Sequence, residues 1–111
     1  MHSISIYPEP PQSSCRTLIE WFMKEYLSDF SLHVCVVYMD LSDEGVCGWC
    51  MRDDDNEFML QIDHNLSGEE HDRTVLHEMY HVFQYMNNIP RCEMCAYMSE
   101  SQSLDKISKT L

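Results

Sequence analysis

In the run Thr74-Val75-Leu76-His77-Glu78-Met79-Tyr80-His81-Val82-Phe83, two histidines stand four residues apart and a glutamate directly follows the first. A helix brings positions i and i+4 onto one face, so His77 and His81 could grip one metal ion while Glu78 reaches a water on that ion. This is the HExxH arrangement of zinc hydrolases. In that chemistry the ion acidifies the water and polarises a carbonyl, while the glutamate takes the water's proton and later passes it to the leaving group. A zinc ion in a hydrolytic site usually takes three protein ligands, so one more must come from elsewhere in the chain.

The residues after the motif offer Glu93, twelve positions beyond His81, and Glu100, nineteen beyond it. The two are seven apart, so one helix face can present both. An idealised helical hairpin, rising about 1.5 Å per residue, puts Glu100 nearer the depth of the two histidines. His77-Glu78-Met79-Tyr80-His81-Val82-Phe83-Gln84-Tyr85, a short break, then Glu93-Met94-Cys95-Ala96 resembles the small gluzincin metallopeptidases and their minigluzincin-like domains. The resemblance covers roughly the last 40 residues. It implies a zincin-like fold, peptide-bond hydrolysis of a peptide or protein substrate, Zn2+ as cofactor, His77, His81 and Glu93 as metal ligands, and Glu78 as catalytic base. Where many gluzincins carry Asp or Asn four residues after the ligand glutamate to orient a histidine, this chain has Tyr97. The resemblance also implies that the strand before the motif helix, 57–62, is the edge to which an extended substrate pairs. His64, His71, Tyr85 and Tyr97 are candidates to steady an oxyanion.

Several elements must position these groups. Ser3-Ile4-Ser5-Ile6-Tyr7 alternates polar and apolar residues and is stopped by Pro8, Pro10 and Pro11, which predicts a short edge strand. Ser13 or Ser14 can cap a helix over 18–27, where Leu18, Ile19, Trp21, Phe22, Met23, Tyr26 and Leu27 recur at helical spacing. The Val-rich run 32–39 reads as a strand, and 46–51 with 57–62 as a hairpin. Ser67-Gly68-Glu69-Glu70 has capping-box spacing ahead of the motif helix, which should reach about Asn87. Asn87-Asn88-Ile89-Pro90 breaks the chain, and a last helix over 91–104 folds back on the motif helix, with 107–111 fraying. The fold class expected is α+β: one small zincin-like domain over 1–111, with a short antiparallel or mixed sheet of about four strands packed on a helix.

At 111 residues, 44% hydrophobic and 23% charged, the chain suits one globular core and therefore one active site. Its formal charge of -12 and scattered seven Lys and Arg argue against nucleic acid as a direct ligand. The longest apolar stretch is far shorter than a membrane span and the start lacks the pattern of a secretory signal, so a cytoplasmic location is expected. Six cysteines include two CxxC pairs, Cys47/Cys50 and Cys92/Cys95. They could form a separate structural zinc module or serve a redox or disulfide role, but without zinc-ribbon surroundings or a secretion signal they read as ordinary reduced thiols. Two other functions stay open: a non-catalytic binding or regulatory protein on the same scaffold, and that cysteine-based module with the HExxH a coincidence.

Overall fold

The computed structural model describes residues 2–8 and 14–110, with the side chains of 109 and 110 excepted. Its elements run β1 (Ser3–Tyr7), α1 (Ser14–Tyr26), β2 (His33–Met39), β3 (Gly48–Asp54), β4 (Glu57–Asp63), α2 (Gly68–Met86) and α3 (Glu93–Thr110), with a short 3-10 turn at Ser42–Glu44. The class is α+β, as expected, and the sheet is mixed. Its strand order is β1-β2-β4-β3, with β1, β2 and β4 parallel and β3 antiparallel to β4. Helix α1 is the crossover that returns the chain to the starting end of the sheet, which is what a parallel β1/β2 pair requires.

One face of the sheet is apolar and meets the helices. Val34, Val36 and Tyr38 from β2 alternate with less buried residues, and Phe58, Leu60 and Ile62 from β4 do the same. Against them lie Leu18, Ile19, Phe22 and Met23 of α1 and Val75, Leu76, Met79 and Val82 of α2. The period of two in the strands and of three to four in the helices directs both sets inward. Each large side chain so buried contributes about 1.5–3 kcal/mol. The sheet therefore rests on two helices rather than one, and α3 packs on the far side of α2.

The boundaries differ from expectation in instructive places. Helix α1 begins at Ser14, whose hydroxyl donates to Asp72 Oδ1 at 2.9 Å instead of capping; Ser13, Pro10 and Pro11 lie outside the described residues. Ser67 is the N-cap of α2 in extended conformation, but its side chain makes no capping hydrogen bond, so the capping box is unformed. Asn88 adopts the left-handed φ of 56° that the Asn pair suggested. Helix α3 starts at Glu93 and continues to Thr110 without fraying after 104, because Ile107 is only 4% exposed and joins the core. Strand β4 is not an edge: it is paired on both sides, and the hairpin folds outward so that β3 forms the border.

Candidate metal centre

Helix α2 carries His77, Glu78 and His81 on its buried side, and the turn after it brings α3 back so that Glu93, in its first turn, meets both imidazoles. His77 Nε2 lies 3.0 Å from Glu93 Oε1, and His81 Nε2 lies 3.1 Å from Glu93 Oε2. Among the described residues this trio forms a group able to hold a metal ion, its ligand atoms all within 4.8 Å of one another. The cysteines form no such group there: Cys50 is buried in the core while Cys47 is exposed.

The outer nitrogen of each ring is fixed by a different partner. His81 Nδ1 sits 2.8 Å from Gln84 Oε1, and the orientation of that amide is set by its NH2, which donates to the Cys92 carbonyl at 3.3 Å. Gln84 therefore accepts, and His81 must carry its proton on Nδ1. His77 Nδ1 lies 3.0 Å from Glu100 Oε2, again an acceptor, and Arg73 holds the other Glu100 oxygen at 3.6 Å. Both Nε2 lone pairs then face the Glu93 carboxylate.

That arrangement is an acceptor against acceptors. Burial lowers the His81 imidazole below its ordinary value, which favours the neutral ring. Burial raises Glu93, but rings of His77 and His81 that carry a proton on Nε2, together with the Arg91 guanidinium, outweigh it and hold the carboxyl well below its ordinary value. With both rings neutral, a carboxylate and two Nε2 lone pairs converge where a cation would sit. Neighbouring ligand atoms around a tetrahedral ion with bonds of about 2.0–2.1 Å stand roughly 3.3 Å apart. To the one oxygen Glu93 Oε1 the two imidazoles stand at 3.0 and 3.2 Å, close to that spacing, and all three ligand atoms lie within 4.8 Å of one another.

Glu78 adjoins the trio and is 4% exposed. Its Oε1 is buried with no hydrogen-bond partner. Burial raises its carboxyl, the charges of His77 and Arg91 pull it down, those of Glu93 and Glu100 push it up, and it settles at about 7. Such a group can accept and return a proton near neutral pH.

His77, Glu78 and Glu93 line a cleft of about 640 Å3 between edge strand β3 on one side and helices α2 and α3 on the other, with His81 fully buried behind them. Gly48 permits this closeness. A Cβ there would come within 3.0 Å of both the Gln61 carbonyl and Thr74 Cγ2, and within 3.2 Å of Glu78 Cγ. Arg91 ties the two walls together, donating from Nε to Glu93 Oε2 at 3.1 Å and from Nη1 to the Cys50 carbonyl of β3 at 3.3 Å.

Of the oxyanion candidates, Tyr97 lines the cleft, its ring 4.5 Å from that of His77. Tyr85 meets Arg91 at 3.4 Å. His71 does not belong to the site: it is fully buried, 2.7 Å from the Tyr38 hydroxyl and 2.9 Å from Asp72, and links the sheet to α2. His64 follows β4 and is exposed, outside the cleft lining. Glu100, weighed as a rival ligand, lies 3.0 Å from His77 Nδ1, while Tyr97, four residues after Glu93, packs its ring against the same imidazole. Gln84 and Arg91 were not singled out for roles at the site. For Gln84 the signal was present, since a residue three after a ligand histidine shares its helix face.

No family model, curated protein or solved structure matches this chain.

Proposed function

We propose that this protein is a small zinc-dependent peptidase of gluzincin type, with His77, His81 and Glu93 as ligands and Glu78 as general base. The observation that carries the reading is the pairing of a His-His-Glu group able to hold a metal ion with an adjoining, unpartnered and buried Glu78 oxygen. A zinc ion held by the trio would supply a Lewis acid that lowers the pKa of a bound water and polarises a carbonyl.

The chain's own residues do the rest. Glu78 Oε1 takes the proton of the attacking water, and the same carboxyl returns it to the leaving amine. Gln84 and Glu100 hold the two imidazoles so that Nε2 of each faces Glu93. Arg91 holds Glu93 against edge strand β3, and an extended peptide would add to the free side of that strand, passing over Gly48. The substrate strand is thus β3 rather than 57–62, because β4 has no free side.

The reading is tested by incubating the protein with unstructured polypeptides, with zinc, with a chelator, and with zinc restored. Cleavage that stops on chelation and resumes with zinc is expected. Zinc-loaded protein that cuts none of them would leave a non-catalytic binding protein as the better description.

A further inference from the structure

The two CxxC pairs share a spacing and part company in the fold. Cys47-Gly48-Trp49-Cys50 runs into β3, where residues three apart point to opposite faces. Accordingly Cys50 is 3% exposed within the core and Cys47 is exposed. Cys92-Glu93-Met94-Cys95 instead opens α3, where residues three apart are neighbours with about 5–6 Å between Cβ atoms. Cys92 is the N-cap: its carbonyl accepts the Ala96 N–H at 3.2 Å, and its Sγ accepts the Cys95 backbone N–H at 3.3 Å. One helical turn places their Cα atoms inside the roughly 4.4–6.8 Å range that a disulfide spans, so side-chain rotation suffices to close the bond. Cys95 is exposed and Cys92 partly so, which leaves both open to small reagents.

We propose that Cys92 and Cys95 are a redox-active dithiol that exchanges with low-molecular-weight disulfides and closes a bond around Glu93. Cys92, whose Sγ accepts the Cys95 N–H at the start of α3, attacks one sulfur of the small disulfide and releases the first small thiol, leaving a mixed disulfide. Cys95 then attacks the Cys92 sulfur of that intermediate and releases the second. The protein pair gives up two electrons and two protons; the small disulfide takes both and leaves as two thiols. Neither cysteine has a part in the hydrolysis proposed above, so this site stands without that reading.

The experiment equilibrates the full chain, as purified, across a series of oxidised-to-reduced glutathione ratios, quenches by alkylation and maps each cysteine by mass. Cys92 and Cys95 are expected to lose two hydrogens together, with half-conversion at a ratio at least about tenfold below that needed to modify Cys47. Excess reduced glutathione should restore them. Cys92→Ser, which keeps an N-cap oxygen, should instead accumulate a glutathione adduct on Cys95, and Cys95→Ser an adduct on Cys92. Half-conversion at the same ratio as Cys47, or stable adducts in place of an internal bond in the wild type, would overturn the proposal. The readout involves neither metal nor peptide cleavage, so failure here leaves the peptidase reading untouched.

Discussion

Glu100 and Glu93 contact the same imidazole from opposite sides: Glu100 at Nδ1 of His77 and Glu93 at Nε2, each at 3.0 Å. In the proposed metal site two carboxylates on one helix, seven residues apart, would divide the work of ligand and orienter. Removing each should have different consequences. Glu93→Ala takes away a ligand, and the chain should no longer retain metal through dialysis. Glu100→Gln leaves the trio intact and should weaken metal binding only about 10–100-fold, as loss of an orienting partner does elsewhere. Competition titration with a zinc indicator checks both, and equal loss in the two variants would contradict the division.

Gly48 lies where edge strand β3 passes over helix α2. Gly48→Ala inserts a methyl against the Gln61 carbonyl, Thr74 and Glu78, none of which is the loose end of a long chain except in part Glu78. The expected cost is about 1–3 kcal/mol, read by denaturant unfolding. Activity should fall further than stability alone explains, because Glu78 is among the atoms displaced. An alanine variant as stable and active as the wild type would show that the strand can retreat.

The buried Glu78 gives a pH signature in metal-free protein. Its folded value near 7 lies above the 4.5 of the free side chain, so the folded state binds the proton more tightly. Stability from this group is complete below about 4.5 and is lost as pH rises through 7. The difference corresponds to about 3 kcal/mol as an upper figure. Glu78→Gln removes the charge, and the variant should melt above the wild type at pH 8 while the gap closes towards pH 5. A gap that widens on acidification would contradict the sign.

Ile107 marks the part of α3 that sequence patterning assigned to a frayed end. With 4% exposure, Ile107→Ala should cost about 2–4 kcal/mol of unfolding free energy. A cost below about 0.5 kcal/mol, the usual range for surface positions, would restore the frayed description.

What was legible in the sequence was local. The i,i+4 histidines, the period-two strands and the Asn87-Asn88 break each depend on near neighbours, and each element formed in its expected order. What was not legible depended on pairing at a distance. Whether 57–62 is an edge depends on which side the hairpin folds, and β4 lies inside because its apolar face, Phe58, Leu60 and Ile62, extends that of β2. The end of α3 was misjudged for the same reason: Ile107 has little local support and is held by the core. At the site, spacing brought Glu93 and Glu100 to one helix face and put Glu100 nearer the depth of the histidines, whereas Glu93 is the one that meets both imidazoles. The approach of Arg91 to both Glu93 and β3 set that depth, and it spans 41 residues of sequence between Cys50 and Arg91.

The central claim rests on Glu78 as the base beside a bound metal. The most direct test is to measure zinc per chain and peptide hydrolysis on the same samples of wild type and Glu78→Gln. The account predicts one zinc in each and hydrolysis in the wild type alone. A variant that holds zinc and cleaves as fast as the wild type would contradict it.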